Sequence, residues 1–374
     1  MPQLPPSRSL LWIAPELFPE PGGIGNQAAY MAGHLSLLGW KVTVLADTCL
    51  ISAQEAKAFD KKQPYTIRRI FRSRAVWATY WKRIQNFYAQ AKRNEVVVCS
   101  GKWPIWVAGL VSPFLSRKWV AVVHGSELDL SRLVGRWWLR RSLRRFDKVI
   151  AVSSYTAQHL PSFGPKGPQV QVIGNGIEPT EFERVGMNGY SRSTHGYPAL
   201  ITVGSVKERK GQRKVIEAMP HILKQFPNAK YHVVGLPNET DALRNLADSL
   251  GLNGTVKFYG VQSREATQHL LKASDVFLLP SQHTEKGDFE GYGIAILEAN
   301  ALGVPAVASL HSGSRDAMND ESGVLVEDAS PKDLTEAIAT IVKKPESYSK
   351  AAIQFSKSRS WERVAQEYHK LLLS

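Results

Sequence analysis

Short apolar runs alternate with helical stretches along most of this chain, and this alternation restricts its fold more than any other feature. In the first half the runs lie at 9–15, 41–46, 95–99, 119–123 and 148–152, with a helix predicted from about Ile24 to Leu38. After a stretch rich in Gly, Ser, Asn and Pro around 178–198, the alternation restarts with runs at 199–203, 230–234, 255–259, 275–279 and 304–308. Such an order is typical of α/β folds with doubly wound parallel sheets. Because 374 residues exceed one ordinary domain, we predict two domains, at 1–185 and 186–358.

The formal net charge of +14 is unevenly distributed between these halves. Residues 1–185 contain 25 Lys and Arg against 12 Asp and Glu, whereas the remainder contains 22 against 21. Nine of the ten tryptophans also lie in the first half. A basic, Trp-rich half predicts contact with an anionic surface. No apolar run reaches the roughly 18 residues of a membrane span, and two cysteines without metal spacing favour the cytoplasm.

The stretch FEGYGIAILEANALGVPAVAS contains the strongest signal for a binding site. If a helix begins near Gly293, Glu290 precedes it and Glu298 lies one to two turns inside it. The N–H groups at the helix start are then unpaired and suit phosphate oxygens, while a carboxylate can bind vicinal hydroxyls. This arrangement predicts a nucleotide-sugar site. Its candidate donor-binding residues are Gly291, Tyr292, Gly293, Ile294 and Glu298.

A second candidate contact for the diphosphate is VGSVKERKG, which follows the run at 199–203. Gly204 ends this predicted strand, and Arg209 and Lys210 precede the next helix. Carboxyl ends of parallel strands are where ligands bind in open α/β sheets. Arg209 can contact a diphosphate by a forked pair of hydrogen bonds and Lys210 as a point charge.

Further motifs occur in the order PEPGGIGNQ (Gly22 to Gln27), VVHG (His124), IAVSS (Ser153) and VIGNGIE (Asn175 to Glu178). Together with the two stretches above, they resemble the family 4 retaining glycosyltransferases. The resemblance implies the GT-B architecture: two Rossmann-like domains facing a central cleft, with the terminal helix at 359–374 returning to the first domain. It also implies that the first domain binds the acceptor and the second binds the nucleotide-sugar donor.

The resemblance assigns roles to individual residues. It implies that Glu290 contacts the sugar hydroxyls and Glu298 the ribose. His124 is expected near the sugar hydroxyls, or with its backbone carbonyl beside the reacting carbon, and Gly23 and Gly25 near the donor phosphate and acceptor. The predicted catalytic residues are therefore His124, Arg209, Lys210 and Glu290. The expected chemistry is front-face transfer with retention, without metal ion or cofactor.

Two departures from the family pattern affect the donor site. Ser205 stands where relatives often have Arg after the strand glycine, and Arg209 is our choice for the missing guanidinium. HSGSRDA stands where relatives usually have Gly-Gly-x-x-Glu, so that Ser312 and Asp316 replace the first glycine and the glutamate.

Rival interpretations come from other classes of protein. GGIGNQA matches the dinucleotide fingerprint of dehydrogenases, with Asp47 about twenty residues further on. However, three prolines between Ala14 and Gly22 are incompatible with the tight turn of that motif. Glu127 and Asp129 resemble a D-x-D metal motif, but we interpret them as loop or cap residues. A nucleic-acid-binding protein would explain only the basic half, and an inactive sugar-binding protein would not need both glutamates and the cations.

The segment at 132–146, RLVGRWWLRRSLRRF, predicts how the first domain meets its acceptor. On a helical wheel Leu139, Leu143 and Phe146 share a narrow face suited to packing on the domain. The remaining surface mixes aromatic and basic side chains that face a membrane or acceptor: Trp137, Trp138, Arg140, Arg141 and Arg144. Arginine beside tryptophan suits lipid headgroups, so we predict a cytoplasmic protein peripherally bound to the inner membrane.

Two questions about this surface stay open at the level of sequence. The stretch after Arg68 places Trp77, Trp81, Ile84, Tyr88 and Ala91 on one helical stripe, which fits core packing and membrane contact equally well. The predicted acceptor is a glycolipid, lipopolysaccharide or polysaccharide precursor. A soluble small-molecule acceptor is the alternative.

Overall fold

The computed structural model describes residues 8–20, 22–72, 75–128, 133–164, 169–183, 185, 196–285 and 287–374. Its contacts divide the chain into two compact units, Met1–Asn175 with Trp361–Ser374, and Gly176–Ser360. Each unit contains one parallel sheet with helices beside it, as expected for the α/β prediction. The predicted boundary after 185 falls later than this division, because Ile177 bridges to Ser360 and Glu181 pairs with Arg264 inside the second unit. Residues 186–195 of the predicted linker lie outside the described residues.

The first unit is built on a seven-stranded parallel sheet in the order β3-β2-β1-β4-β5-β6-β7. Its strands are β1 (Ser9–Ala14), β2 (Lys41–Thr48), β3 (Thr66–Phe71), β4 (Val96–Ser100), β5 (Lys118–Val123), β6 (Lys148–Ala151) and β7 (Val170–Val172). Its helices are α1 (Gly23–Leu37), α2 (Ala53–Asp60), α3 (Val76–Ala91), α4 (Lys102–Val111), α5 (Leu133–Leu143), α6 (Ser154–His159) and the C-terminal α14 (Trp361–Leu373). Strand order reverses between β1 and β4. Right-handed crossovers therefore place α1 and α2 on one face of this sheet and α3, α4 and α5 on the other.

The C-terminal helix α14 packs against α1 within the first unit. Tyr30 of α1 stacks on Trp361 with ring centroids 5.6 Å apart, and Trp12 of β1 lies against Tyr368. Gln27 Nε2 donates to Asn175 Oδ1 at 2.8 Å. The amphipathic pattern of the C-terminal segment therefore packs on the first unit as expected.

The second unit is built on a six-stranded parallel sheet in the order β10-β9-β8-β11-β12-β13. Its strands are β8 (Ala199–Val203), β9 (Lys230–Val234), β10 (Val256–Gly260), β11 (Val276–Leu279), β12 (Ala306–Ser309) and β13 (Gly323–Val326). Its helices are α7 (Thr180–Glu183), α8 (Gln212–Gln225), α9 (Thr240–Ser249), α10 (Arg264–Lys272), α11 (Ile294–Ala301), α12 (Pro331–Lys343) and α13 (Pro345–Ser358). The order reverses between β8 and β11, which is the position where such sheets bind ligands.

Three strands, β3, β7 and β13, were absent from the sequence prediction. Each lies at an edge of its sheet, where burial is incomplete and apolar runs are short, and the fourth edge strand, β10, was predicted. In β3 only Ile70 is buried, and Arg68 and Arg69 interrupt the pattern. Within the part of the chain that is described, no helix is both long and apolar enough to cross a bilayer.

Candidate functional site

A cluster of two cations and two carboxylates lies at the carboxyl end of β8. After Gly204 the chain forms a short 3₁₀ turn at Glu208–Lys210. Lys210 Nζ lies 2.6 Å from Glu290 Oε2, and Arg209 Nη1 pairs with the same oxygen. Arg209 Nε also lies 3.2 Å from Asp288 Oδ2. The structure thus brings the predicted catalytic residues Arg209 and Lys210 together with Glu290, which lies about eighty positions further along the sequence.

The charges in this cluster depend on one another. Burial alone would raise the pKa of Glu290, but Lys210 and Arg209 outweigh it and lower that pKa to about 2. Burial lowers the pKa of the Lys210 ammonium, and Glu290 counteracts this effect. Two cations face two carboxylates, so the cluster is close to neutral. A diphosphate would compete with Glu290 and Asp288 for the same guanidinium and ammonium groups.

The start of α11 matches the prediction for the donor stretch. Gly293 precedes the helix with φ of 85°, a left-handed conformation that favours glycine. Among the residues that the structure describes, the N–H groups of Gly293 and Ile294 have no hydrogen-bond acceptor. Glu290 lies before the helix, and Glu298 lies inside it. The helix therefore presents unpaired N–H groups suited to an anion.

Glu298 differs from Glu290 in its surroundings. Its carboxyl makes no hydrogen bond or ion pair with any described residue. Burial raises its pKa, with Arg264 opposing this shift and Glu181 reinforcing it. Glu298 is half-buried, and ligand hydroxyls are suitable partners for its carboxyl. The two glutamates thus have opposite pKa shifts, Glu290 because of nearby cations and Glu298 because of burial.

The segment HSGSRDA packs directly against this loop. Gly313 N–H donates to the carbonyl of Glu290 at 2.8 Å, and a Cβ on Gly313 would lie 1.9 Å from the carbonyl oxygen of Gly291. Because only glycine fits at this position, Gly313 keeps the place of the second glycine in the family pattern. Ser314 Oγ is buried near Gly293 and has no hydrogen-bond partner among the described residues. Sequence reasoning missed Ser314, although its place beside the two family departures could have drawn attention to it.

In the glycine-rich loop of the first unit, backbone N–H groups that were predicted to approach the donor phosphate and acceptor instead contact a carboxylate of the protein itself. Gly25 N–H donates to Glu16 Oε1 at 3.2 Å, and Ile24 N–H also contributes to this carboxylate. Burial raises the pKa of Glu16, with these two N–H groups opposing the shift. A phosphate could bind the N–H of Gly25 only by displacing Glu16. The predicted contact of Gly23 and Gly25 with donor or acceptor therefore competes with a side chain of this chain.

The same loop argues against the dehydrogenase interpretation. Pro15 and Pro19 lie in the long connection between β1 and α1, which cannot form the tight strand-to-helix turn of the fingerprint. Asp47 is fully buried and pairs with Arg83 and Arg72, so it is not free to bind a ribose.

His124 follows β5, as the sequence predicts, and makes local contacts in the first unit. Its Nε2 lies 2.8 Å from Ser100 Oγ at the end of β4. Loss of hydration lowers the pKa of His124 to about 3, so its imidazole is neutral at physiological pH. His124 N–H donates to Glu127 Oε2 at 2.8 Å. A neutral imidazole can exchange hydrogen bonds with hydroxyl groups.

Glu127 lies in the turn after β5 and its Oε2 accepts a backbone N–H, which agrees with our interpretation of it as a loop or cap residue. Its side chain is fully buried, and its Oε1 has no partner among the described residues. Burial raises the pKa of Glu127 to about 7, although its own N–H and those of His124 and Gly125 oppose this shift. Asp129, the other half of the D-x-D resemblance, lies outside the described residues. Within the described ranges, no group of three or more His, Cys, Asp or Glu side chains is arranged to hold a metal ion.

Replacing Glu127 with Gln should reduce the loss of stability that occurs as pH rises. The folded pKa of about 7 exceeds the ordinary value of 4.5, so between these pH values the folded protein binds more protons than the unfolded chain. The free energy of unfolding therefore falls as pH rises through this range, by at most about 3 kcal/mol. Urea midpoints near pH 5 and pH 8 should differ less in Glu127→Gln than in wild type. Exposed Glu321→Gln is the control, and identical pH dependence in all three proteins would contradict this prediction.

Helix α5 carries the predicted basic and aromatic surface. Leu139, Leu143 and Phe146 are buried, which confirms the predicted packing face. A surface cavity of about 530 Å³ is lined by Trp137, Arg140, Arg141, Arg144 and Arg145. Trp138 is half-buried, so it contributes less to this surface than the sequence predicted. Arg132 and the side chain of Leu133 lie outside the described part of the chain.

Comparison with known proteins covers both units. Residues 21–181 match the profile described as Glycosyltransferase Family 4, and residues 191–358 match Glycosyl transferases group 1. A GDP-mannose-dependent monoacylated alpha-(1-6)-phosphatidylinositol monomannoside mannosyltransferase of Corynebacterium glutamicum is 27% identical over 91% of this chain and 90% of its own length. A GDP-mannose-dependent alpha-(1-6)-phosphatidylinositol monomannoside mannosyltransferase of Mycolicibacterium smegmatis is 31% identical over 66% of this chain and 65% of its own length.

Solved structures share the fold over nearly the whole chain. HepE of Anabaena, in complex with UDP and glucose, superposes with a TM-score of 0.76 at 17% identity, covering 98% of this chain and 99% of that one. WaaG, a glycosyltransferase involved in lipopolysaccharide biosynthesis, superposes with a TM-score of 0.70 at 16% identity, covering 97% and 99%. The two profiles, the full-length relative and the two sheets agree. The chain therefore belongs to the family 4, group 1 glycosyltransferases of GT-B fold.

Proposed function

We propose that this protein is a retaining hexosyltransferase that moves a sugar from a nucleoside-diphosphate sugar to a hydroxyl of a membrane-borne glycolipid or saccharide precursor. The observation that carries this proposal is the second unit's cluster of Arg209, Lys210 and Glu290, in the same unit as α11 with its unpaired N–H groups. The pairing supplies positive charge for a diphosphate and a carboxylate for sugar hydroxyls. The unpaired carboxyl of Glu298 is suited to the ribose.

The proposed contribution of the protein to catalysis is binding, orientation and charge stabilisation. As the bond to the sugar breaks, negative charge grows on the leaving diphosphate, and Arg209 and Lys210 stabilise it. The leaving phosphate accepts the proton of the acceptor hydroxyl on the same face of the sugar, so no side chain has to form a covalent intermediate. His124, neutral at physiological pH, can orient a sugar hydroxyl.

The donor proposed first for testing is GDP-mannose, because the relatives named above are GDP-mannose-dependent. UDP-glucose is the second candidate, since HepE has also been solved with UDP-glucose. Thermal-shift screening with GDP-, UDP- and ADP-sugars should raise the melting temperature for one nucleotide class. Titration with oligonucleotides is the negative control. Stabilisation by oligonucleotides alone would favour a nucleic-acid-binding protein and overturn the proposal.

We expect transfer with retention of anomeric configuration and without a divalent cation. The family membership and the cation cluster support this expectation, because Arg209 and Lys210 can neutralise the diphosphate without a metal. Proton NMR of the first-formed product from an α-linked donor should show an α-linkage. A β-linked first product would overturn the mechanism, and full loss of activity in EDTA that added Mg²⁺ restores would overturn the metal-free part.

The proposed acceptor is carried by an anionic membrane, with the protein at the cytoplasmic face of the inner membrane. Two kinds of support are independent: relatives are named for phosphatidylinositol mannosides, and α5 presents an arginine-lined cavity beside Trp137. Guanidinium groups bind phosphate by paired hydrogen bonds. A soluble acceptor remains the alternative, and transfer to water-soluble sugars at rates equal to those on lipid extracts would favour it.

A further inference from the structure

The outward face of α3 exposes more aromatic surface than a folded protein ordinarily leaves uncovered. Trp77 is 76% exposed, Trp81 59% and Tyr80 51%. Val76 and Tyr88 on the same helix are also exposed, and Ile84 is half-buried between them. Single exposed apolar residues are common, but a continuous apolar patch of this kind marks a binding surface. The core-packing interpretation therefore holds for Ala91, which is buried, and in part for half-buried Ile84, but not for Trp77, Trp81 and Tyr88.

The rotation of α3 is fixed by contacts on its other side. Thr79, Arg83, Phe87 and Ala91 are the buried residues of the helix. Arg83 pairs with the fully buried Asp47 and lies 4.9 Å from the ring centroid of Trp103. Turning the aromatic stripe inward would separate this buried ion pair and leave two buried charges without partners. The stripe is thus a fixed feature of the folded unit.

The charges around the stripe indicate an anionic partner. Helix α3 contains no Asp or Glu between Val76 and Ala91, while Lys82, Lys92 and Arg93 are exposed on it or at its end. Tryptophan and tyrosine with flanking cations are the residue types found at the boundary between lipid headgroups and acyl chains. A soluble protein partner would not require this absence of carboxylates.

The position of α3 relative to α5 supports the same partner. Both helices lie on the same face of the first sheet, and α4 packs against each of them. Leu110 on α4 is also exposed. The aromatic stripe and the arginine-lined cavity of α5 therefore belong to one layer of helices.

We propose that the outward face of α3 inserts Trp77, Tyr80 and Trp81 into the headgroup region of an anionic phospholipid bilayer, beside the contact made by the α5 arginines. This inference rests on the proposed function, because it assumes that the acceptor is presented by a membrane. It assigns the apolar part of the contact to α3 and the phosphate-binding part to α5. Two contacts on one layer fix the orientation of the first unit on the bilayer.

The test compares Trp77→Ser/Trp81→Ser with a matched control on the second unit, Leu236→Ser/Val261→Ser, which also removes two exposed apolar side chains. In co-sedimentation with vesicles rich in phosphatidylglycerol, the α3 variant should partition onto the vesicles at least tenfold more weakly than wild type. The control should partition as wild type does. In wild type, brominated acyl chains should quench tryptophan fluorescence, and the α3 variant should lose the part of this quenching that comes from Trp77 and Trp81, while Trp137 on α5 is still quenched. Circular dichroism and titration with GDP-mannose and UDP-glucose should give the same results in both variants as in wild type.

The outcomes separate this inference from the proposed function. Unchanged vesicle binding and quenching in the α3 variant, with intact donor binding, would overturn the α3 contact and leave the transferase proposal standing. If the α3 variant lost self-association in sedimentation velocity but still bound vesicles, the stripe would be a contact with a second copy of the chain. That result would also overturn the proposed membrane contact of α3. If wild type bound neither anionic vesicles nor nucleotide sugars, both proposals would be overturned.

Discussion

Lys210→Ala and Glu298→Gln should each lower turnover at least tenfold while the protein remains folded. In the proposed donor site, Lys210 would supply a charge-assisted contact to the diphosphate, and Glu298 would supply one to the ribose. The loss of one such contact costs about 1.5–3 kcal/mol, which corresponds to a roughly ten- to hundredfold lower rate. In Lys210→Ala, Glu290 still pairs with Arg209, so its carboxylate is not left without a partner. Initial rates at subsaturating donor are the measurement.

Matched controls come from exposed positions in the same unit. Lys214→Ala on α8 and Glu336→Gln on α12 make the same chemical changes at exposed side chains and should keep wild-type rates. Thermal unfolding should be similar in all four variants. If both site variants retained wild-type rates at subsaturating donor, the assignment of the donor site would fail.

Trp137→Ser combined with Arg140→Glu should weaken binding to anionic vesicles by at least thirtyfold. Each cation near an anionic bilayer contributes about 1 kcal/mol, so reversing one charge costs about 2 kcal/mol. Loss of Trp137, which is 58% exposed, removes apolar contact in addition. Binding of wild type should weaken as salt increases, because the contact depends on charge. Co-sedimentation with phosphatidylglycerol-rich vesicles at low and high salt measures both effects.

The control for this variant is Val261→Ser with Arg213→Glu, which changes one exposed apolar side chain and one exposed arginine in the second unit. It should bind vesicles as wild type does. Equal partition of wild type onto neutral and anionic vesicles, or onto neither, would contradict the role of α5. A soluble acceptor would then be favoured.

The buried strands and the start of α11 could be predicted from the sequence because their signals are local. All ten predicted apolar runs became strands, and most of them are buried, since a buried parallel strand needs a continuous apolar segment. Gly293 marks the start of α11 because the conformation there is one that glycine adopts readily. The outer strand β3 was missed because Arg68, which is exposed, and Arg69, which pairs with Asp60, interrupt its apolar pattern. At an edge the pattern weakens, and local reasoning loses its signal.

Only the tertiary structure decided which groups occupy the predicted sites. The sequence indicated that Arg209, Lys210 and Glu290 bind ligand, but their mutual pairing depends on the packing of segments far apart in the chain. Likewise, the hydrogen bond from Gly25 N–H to the Glu16 carboxylate and the burial of Glu127 follow from contacts that no local pattern encodes. The helical period of α3 defined an apolar stripe, but the buried pair of Arg83 with Asp47 on β2 determines that this stripe faces outward. Periodicity depends on neighbours within a few residues, whereas burial depends on whichever distant segments fold against them.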